Sequence, residues 1–435
     1  MKRFYVPIFA FLVLASATLS AASLTPAWVE LGPAGPVARV IMDSRTGCPQ
    51  IKFDGRAATM RARVDNPSAA FPIRVCEAPI AKTVKSASVE LAGKWQALAL
   101  PVADPRKIVI IGDTGCRVKD NAQLPPAARQ ADGSTEIQNC EDPKKWPFPQ
   151  VAGAAAAEKP DLVIHVGDYL YRETPCPDPS KCGNVYGYNW AAWDADFFAP
   201  AASLLTAAPW IFVRGNHEDC GRAWQGFYFF LDPRALAQLS PCASPFTDPY
   251  VVKLGKQRFA VIDSAMADDT RAPEREVKEY TRQLRSIAAE GVGGGWLLLH
   301  RPIWGFRAVG DRVVPSNATL EAAWERAGLK QQDVSLIVSG HIHLFELLSF
   351  AKAAGLPPQL VVGDSGTKLT TPLPSELAGA KLANRTVAQG KSFDDFSYGL
   401  MTRETTGWRL RMRTEKQADK ADCLLELKGG SVACR

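Results

Sequence analysis

The pattern of apolar and polar positions changes near residue 105. Before that point, short alternating or β-branched runs, such as residues 37–42 and 73–76, are separated by turn residues, which predicts a small all-β unit. After it, short continuous apolar runs alternate with longer segments of helical spacing. Such runs predict buried strands between helices, and hence an α/β sheet covered on both faces.

The predicted strands of the second region are short apolar runs that end in a turn. They span residues 107–111, 162–166, 210–213, 258–262, 296–299, 334–338, 360–362, 398–402 and 408–413. Helices are predicted over residues 149–158, 191–207, 274–290 and 318–327. We therefore expect a small β domain over residues 23–104 and an α/β domain with C-terminal β hairpins over residues 105–435.

The first 22 residues are typical of an export signal. Lys2 and Arg3 precede an apolar run over residues 4–14, and small residues follow it. The run is shorter than the ~20 residues that span a bilayer, so we expect a cleaved signal peptide over residues 1–22 and no stable membrane insertion. The mature protein is then exported, to a periplasm or to the medium.

The ten cysteines agree with export, because an even number in an exported chain indicates disulfides. The chain has no C-x-x-C pair, which argues against a zinc ribbon or a thioredoxin motif. Sequence does not determine connectivity, but the cysteines fall into sequential local pairs. The predicted pairs are Cys48–Cys76, Cys116–Cys140, Cys176–Cys182, Cys220–Cys242 and Cys423–Cys434.

Composition narrows the class of protein further. Hydrophobic residues make up 46% and charged residues 22% of the 435 residues, which excludes disordered, collagenous and coiled-coil proteins. The net charge of +6 is small and mixed along the chain, with no basic stripe interleaved with aromatic residues. We therefore expect no nucleic-acid polymer as a partner.

Five of the predicted strands end in residue types that bind metal ions, in most cases beside a glycine. These segments are Gly112-Asp113-Thr114-Gly115, Gly167-Asp168-Tyr169-Leu170-Tyr171, Gly215-Asn216-His217-Glu218, His300-Arg301-Pro302 and Gly340-His341-Ile342-His343. Ligands of open α/β sheets bind outside the carboxyl ends of strands, so five such ends predict one shared site. The glycines permit sharp exits from the strands and close approach of the backbone.

The histidines are distributed in the same way. Only five occur, and four of them, His217, His300, His341 and His343, lie in these strand-end segments. The fifth, His165, lies inside a predicted strand, so we expect it to be a core or supporting residue.

With these motifs the chain resembles the calcineurin-like metallophosphoesterases, and among them the purple acid phosphatases. The family pattern is GD-x-G, GD-x-x-Y, GNH-[DE], V-x-x-H and GH-x-H. Leu297 stands where the fourth motif has Val, and the match covers roughly residues 107–365. The resemblance implies a four-layer αββα sandwich, preceded here by the small all-β N-terminal domain.

The resemblance also implies a centre of two metal ions. Asp168 would bridge them, Asp113, Tyr171 and His343 would complete the first, and Asn216, His300 and His341 would complete the second. A shared carboxylate offsets the repulsion of two nearby cations, and mixed oxygen and nitrogen ligands suit Fe, Mn or Zn better than Ca or Mg. We expect Fe(III) together with Fe, Zn or Mn.

Tyr171 distinguishes this chain from many relatives, which have Asp-x-His in the first motif. Gly115 occupies that histidine position here, so one ligand would be missing. Tyr171 can supply it, and a phenolate ligand favours Fe(III). The alternative is that Tyr171 only packs or forms hydrogen bonds.

The mechanism implied is attack on phosphorus by a metal-bound hydroxide. His217 is the predicted catalytic residue, which contacts the phosphoryl group or protonates the leaving alkoxide. Glu218 orients His217, caps the next helix or faces the substrate. Arg172 falls, by similarity to the GDYVDRG motif of Ser/Thr protein phosphatases, where those enzymes bind phosphate. Trp304 is a weaker candidate for the substrate pocket.

The function expected from the sequence is hydrolysis of a small phosphate ester, most directly a phosphomonoester. A phosphodiesterase acting on nucleotides or glycerophosphodiesters would use the same metal site, and the sequence does not separate the two. A non-catalytic protein that binds metal or phosphate is the third alternative. The sequence leaves the oligomeric state open.

Overall fold

The fold is described from a computed structural model, which describes residues 25–123, 135–236, 242–310, 312–382 and 385–435. The predicted signal peptide over residues 1–22 lies outside the described residues. Within the described ranges, no helix is both long enough and apolar enough to cross a bilayer.

Residues 25–104 fold entirely into strands and turns, as the alternating pattern predicted. The strands are β1 (Trp28–Gly32), β2 (Gly35–Asp43), β3 (Gln50–Phe53), β4 (Arg56–Thr59), β5 (Arg61–Val64), β6 (Ile73–Pro79), β7 (Ala87–Leu91) and β8 (Lys94–Ala97). Neither β1 nor β3 was predicted.

Strands and helices alternate in the next part of the chain. They are β9 (Lys107–Ile111), β10 (Val118–Asp120), β11 (Thr135–Ile137), α1 (Phe148–Ala157), β12 (Leu162–His165), α2 (Pro179–Cys182), α3 (Trp190–Trp193), α4 (Ala199–Ala207), β13 (Trp210–Phe212) and α5 (Trp224–Gly226). One-turn π-helices, Asp194–Phe198 and Phe227–Leu231, extend α3 and α5.

The remaining elements complete the second half of the fold. They are β14 (Tyr250–Leu254), β15 (Gln257–Val261), α6 (Glu274–Ala289), β16 (Gly295–Leu298), β17 (Phe306–Val309), β18 (Arg312–Pro315), α7 (Ala318–Ala327), β19 (Val334–Ser339), β20 (Phe345–Phe350), β21 (Gln359–Val362), β22 (Lys381–Leu382), β23 (Arg385–Phe393), β24 (Tyr398–Arg403), β25 (Trp408–Arg413), β26 (Asp419–Glu426) and β27 (Ser431–Cys434).

Most of the described strands form two large sheets, and β4-β3-β7-β8 form a separate four-stranded sheet. The first has the order β27-β26-β25-β24-β9-β12-β13-β1-β2-β6-β5, and the second has the order β14-β15-β16-β19-β21-β20-β23-β22. In the first sheet β9, β12 and β13 are parallel neighbours, and in the second β15, β16, β19 and β21 are. Their carboxyl ends therefore open at one edge of each sheet.

Three apolar clusters define the layers. One lies between the sheets and joins Ile110 of β9 to Leu298 of β16. A second packs the outer face of the first sheet against α1 and α4, and a third packs the outer face of the second sheet against α6 and α7. This is the four-layer αββα sandwich that the resemblance implied. Its four layers give each sheet a buried face on both sides.

The N-terminal region shares hydrogen bonds with the α/β part. β1 pairs in parallel with β13 at Glu30 and Trp210, and β2, β6 and β5 continue the same sheet outward. The small β unit expected from the sequence is therefore joined to the α/β part by strand pairing, and not only by the chain at residues 101–105. The pairing depends on a tertiary contact across some 180 residues of chain, which local patterns do not carry.

A buried group of charges holds this junction. The Arg39 side chain is fully buried, and its guanidinium lies 2.6 Å from Glu30 Oε2 and 3.1 Å from Glu77 Oε2. It also donates to the carbonyl oxygens of Phe230 and Asp232. The N-terminal strands are thus tied to the loop that follows α5.

The five predicted disulfides are all formed. They join Cys48 to Cys76, Cys116 to Cys140, Cys176 to Cys182, Cys220 to Cys242 and Cys423 to Cys434, and no described cysteine is free. Each closes a loop of 28 residues or fewer, so local order along the chain sufficed to pair them.

Replacing Arg39 with Ala should destabilise the protein strongly. The buried Glu30 carboxylate would lose its cation and two carbonyl groups would lose their donor, which costs about 3–5 kcal/mol for a broken buried pair. The free energy of unfolding from urea titrations measures this. Arg45→Ala is the matched control, because the Arg45–Asp43 pair is exposed and should matter little. Equal midpoints for the two variants would contradict a structural role of Arg39.

Candidate metal centre

The five strand-end segments meet at the edge where both sheets open. Asp113, Asp168 and Asn216 follow β9, β12 and β13 of the first sheet, whereas His300 and His341 follow β16 and β19 of the second. The parallel registers place these ends side by side. The structure therefore brings the strand-end segments together at one edge, as the sequence predicted.

One group of side chains converges on the Tyr171 hydroxyl. The hydroxyl oxygen lies 3.0 Å from Asp113 Oδ1, 2.9 Å from Asp168 Oδ2 and 3.1 Å from His343 Nε2. The Asp113 and Asp168 carboxyls are buried. Two carboxyl groups and an imidazole thus converge within hydrogen-bonding distance of the phenol oxygen.

A second group shares Asp168 with the first. His300 Nε2 lies 3.2 Å from Asp168 Oδ2 and 3.1 Å from Asn216 Oδ1. One ligand atom each from Asp168, His300 and His341 lies within 4.8 Å of the others, a spacing that a single metal ion can span. All seven side chains that the resemblance suggested as ligands are therefore brought together.

Hydrogen bonds on the far side of the rings orient the histidines. His300 Nδ1 donates to the carbonyl oxygen of Val166 at 2.8 Å, and His343 Nδ1 donates to that of Lys368 at 2.9 Å. In both rings Nε2 is the nitrogen that faces the centre. Such outer partners fix the tautomer of a histidine that binds metal.

His341 is oriented by Asp269, a residue that the sequence did not single out. Asp269 Oδ2 lies 3.0 Å from His341 Nε2 and 2.7 Å from the Arg301 guanidinium. Burial opposes the charge of Asp269, but Arg301 and His341 hold the pKa of its carboxyl well below its ordinary value. The Arg301 guanidinium also lies 2.9 Å from His341 Nε2, so both partners engage that nitrogen and Nδ1 of His341 is the atom left for a ligand bond.

Three of these residues have left-handed backbone conformations. Asp113, Asp168 and His341 have φ values of 55°, 60° and 72°. Such values cost energy for residues with a Cβ atom and cluster at functional sites. The neighbouring glycines are required by close approach, since a Cβ atom on Gly215 would lie 2.1 Å from Asp168 Oδ1 and one on Gly340 2.3 Å from Asp113 Oδ2.

Gly115 leaves no room for the histidine that many relatives have at its position. A Cβ atom there would lie 2.5 Å from the Tyr169 carbonyl oxygen and 2.9 Å from the Tyr171 backbone nitrogen. The Tyr171 hydroxyl reaches the centre from the next strand end. Burial and the neighbouring carboxyls raise the pKa of this hydroxyl well above its ordinary value, so its deprotonation requires a cation beside it.

His217 is enclosed by two arginines that the sequence analysis missed. Its Nε2 atom lies 3.1 Å from Arg117 NH1 and 3.9 Å from Asp168 Oδ2, and its ring nitrogens lie 2.7 and 2.9 Å from Arg222 NH2. Burial and the Arg222 charge lower the pKa of His217 to about 4. Arg117 is 100 residues from His217 in the chain, so no local spacing connects the two, whereas Arg222 lies only five residues after His217.

Glu218 does not face a substrate, which was one of the three roles predicted for it from the sequence. Its buried carboxyl oxygens accept from the backbone N–H groups of Gly215, Asp168, Tyr169 and Leu170. Burial and the nearby Asp168 raise the pKa of Glu218 to about 8. It holds the loop that carries Asp168, a role that only the tertiary contact between two strand ends creates.

The prediction that Arg172 binds phosphate is wrong for this fold. Its Nε atom lies 2.7 Å from the fully buried Asp196 Oδ1, and its NH1 atom donates to the Cys182 carbonyl oxygen. The prediction that Trp304 lines a substrate pocket is also wrong. It is fully buried and packs edge-on against Trp324 and Phe350 beneath the second sheet.

His165 is a core residue, as expected. Its Nδ1 atom accepts from the Gly167 N–H, its Nε2 atom contacts Thr114 Oγ1 at 3.0 Å, and its ring stacks on Tyr169. It supports the turn that delivers Asp168 without facing the centre.

The donor set fits a metal centre. Oxygen donors come from two carboxyls, one phenol and one amide, and nitrogen donors come from three imidazoles, which is the mixture that suits Fe, Mn or Zn. Burial raises the pKa of Asp113 well above its ordinary value. Burial also opposes the charge of Asp168, but His300 and His217 hold its pKa well below that value. A cation would stabilise both carboxylates in this desolvated site.

Comparisons with known proteins agree with the motifs. The family model described as calcineurin-like phosphoesterase matches residues 106–345, which include all seven candidate ligands. The purple acid phosphatase PPD1 from yellow lupin (Lupinus luteus) seeds aligns with a TM-score of 0.54 at 15% identity, over 90% of this chain and 72% of that one. The structure of PhoD aligns with a TM-score of 0.55 at 12% identity, over 95% and 92%. These identities show a shared fold alone, and no curated protein matches the sequence.

Replacing Asp269 with Asn should weaken metal binding at His341 specifically. Loss of the carboxylate that fixes a ligand histidine typically lowers metal affinity about 10- to 100-fold. Elemental analysis during titration with a chelator would then show one of two ions lost early. Asp268→Asn is the matched control, because that neighbouring carboxylate pairs with Arg271 instead of a histidine. Identical metal retention in both variants would contradict the assignment.

Proposed function

We propose that this chain, which belongs to the calcineurin-like phosphoesterase family, is a dinuclear phosphomonoesterase. Membership makes it a metal-dependent hydrolase of phosphoric esters. The observation that carries the dinuclear part of the proposal is the position of Asp168. Its Oδ2 atom lies 2.9 Å from the Tyr171 hydroxyl and 3.2 Å from His300 Nε2, so one carboxylate belongs to both ligand groups.

The proposed ligand sets follow from those groups. Asp113, Asp168, Tyr171 and His343 hold the first ion, and Asp168, Asn216, His300 and His341 hold the second. When bound, two such ions supply Lewis acidity and an activated water nucleophile for an in-line displacement at phosphorus. In that displacement a water oxygen bonds to phosphorus, the ester P–O bond breaks, and the departing alkoxide takes up a proton.

His217 is the proposed catalytic residue that meets the substrate. Its backbone N–H donates to Asp168 Oδ1 at 2.8 Å, and its Nδ1 atom lies 3.2 Å from the Leu170 carbonyl oxygen. These contacts fix the ring beside the centre, with Nε2 toward Arg117. From there the imidazole would contact the phosphoryl group. It would protonate the leaving oxygen only if a bound phosphate anion offsets the burial and the Arg222 charge that lower its pKa.

Burial of the site supports monoesters over diesters. Asn216 is 8% exposed and His217 is 2% exposed, so these side chains leave little open surface for a substrate. A terminal phosphoryl group, which has a single organic substituent, needs less open surface than one that bridges two. The proposed substrate is therefore a small phosphate monoester.

The disulfides support a place of action outside the cytoplasm. Five bonds among the described residues are typical of an oxidising compartment, where they persist. An exported phosphatase, periplasmic or secreted, is the form of the proposal that agrees with them.

An activity panel with metal analysis on one preparation tests the function. We expect about two metal ions per chain and faster turnover of p-nitrophenyl phosphate than of bis-p-nitrophenyl phosphate. Faster turnover of the diester would assign the protein to the phosphodiesterases instead. Metal binding without turnover of either ester would contradict both activities.

Replacing Tyr171 with Phe tests whether the first ion is Fe(III) bound by a phenolate. The wild-type protein should show a visible charge-transfer band, and the variant should lose it while the second ion is retained. Tyr169→Phe is the matched control, because the Tyr169 hydroxyl is buried nearby but donates to the Val213 carbonyl oxygen. A band that survives in Tyr171→Phe would refute the phenolate assignment.

A further inference from the structure

We propose that Arg117 is the residue that binds the non-bridging oxygens of the phosphoryl group. This inference rests on the proposed function, because it concerns the phosphate at the same site. It replaces the role that sequence similarity gave to Arg172.

Arg117 lies directly beside the candidate centre. Its NH1 atom is 3.1 Å from His217 Nε2, and its guanidinium carbon is 5.2 Å from the centroid of the Tyr171 ring. The hydroxyl of that ring contacts Asp113, Asp168 and His343. A phosphoryl group that reaches both the centre and His217 is therefore within reach of this guanidinium.

Glu136 holds the guanidinium in one orientation. Arg117 Nε and NH2 lie 2.9 Å and 2.8 Å from Glu136 Oε2, which occupies one side of the fork. NH1 remains on the other side and faces His217. The side chain is only 7% exposed, so its orientation is fixed before a ligand arrives. A preorganised, desolvated guanidinium binds phosphate oxygens well.

A pair of antiparallel strands presents these two residues. β10, which follows Arg117, pairs with β11, which contains Glu136, and the Cys116–Cys140 disulfide links the chain before β10 to the chain after β11. The Arg117 N–H donates to Gln138 Oε1 at 2.8 Å, and the Gln138 N–H donates to the Arg117 carbonyl oxygen at 2.7 Å. The backbone of Arg117 is therefore anchored on both sides.

Arg117 contacts both His217 Nε2 and the Tyr171 ring, whereas the other cations near the centre have different partners. Arg222 is bound by Glu173 at 2.6 Å and donates to the Asn216 carbonyl oxygen, so it supports the His217 ring. Arg301 NH1 is bound by Asp269. Lys368 lies 3.3 Å from the other Glu136 oxygen but is about half exposed to solvent.

The test is the dissociation constant of orthophosphate, the product, measured by calorimetry on the metal-loaded protein. Arg117→Gln should raise it about 10- to 100-fold, the effect of losing a charge-assisted hydrogen bond, with metal content unchanged. The KM for p-nitrophenyl phosphate should rise as well. Lys368→Gln is the matched control, since it removes the same charge from the same carboxylate but leaves NH1 in place, and should change binding less than about threefold.

Arg117→Lys decides the matter if Arg117→Gln does not fold. Lysine keeps the charge but has no fork to share between Glu136 and a phosphate, so binding should weaken by several fold. An orthophosphate affinity unchanged in the folded Arg117 variants, or lowered equally by Lys368→Gln, would overturn the inference.

The same data separate this inference from the proposed function. A wild-type protein that turns over no ester, yet binds orthophosphate through Arg117, would refute the activity and support the inference. A wild-type protein that hydrolyses monoesters, with orthophosphate affinity indifferent to Arg117, would refute the inference alone.

Discussion

The site depends on the hydrogen bonds that the buried Asp168 carboxylate makes with groups from both sheets. One sheet supplies the Tyr171 hydroxyl and the His217 N–H, and the other supplies His300. A charge removed from water must have such partners, so the two sheets can pack only in the relative position that delivers them. Glu218 fixes the same loop from behind by accepting backbone N–H groups on both sides of Asp168. The contacts of the polar centre and the packing of the two sheets therefore constrain the same relative position of the sheets.

The rest of the fold maintains conformations that a short peptide would not keep. Asp113, Asp168 and His341 remain left-handed because strands buried on both faces fix the chain before each turn. Glycines at the neighbouring positions let the carboxyl oxygens approach the backbone. The buried Arg39 group extends this support to the N-terminal strands and to the loop after α5. Strain at the strand ends is thus balanced by packing over the whole first sheet.

The cations around the centre are fixed by carboxylates in a repeated arrangement. Glu136 holds Arg117, Glu173 holds Arg222 and Asp269 holds Arg301. Each pair touches a histidine of the site, so the position of each positive charge is set without a ligand. Such preorganisation lowers the cost of binding an anion, because little rotational freedom is lost on association.

The sequence by itself indicated the layered α/β fold, suggested the five local disulfide pairs without determining their connectivity, and placed the seven candidate ligands at or near strand ends. Apolar runs, short cysteine spacings and motifs after strands are local features, so they can be recognised from residues that are close together in the sequence. Only the tertiary structure decided the insertion of β1 beside β13 and the contacts of Asp269 with His341 and of Glu218 with the Asp168 loop. It also decided that Arg117, and not Arg172, lies beside the centre. These features join segments far apart along the chain. Which charged side chain finds which partner depends on burial and distance in the folded protein, and no local pattern encodes either.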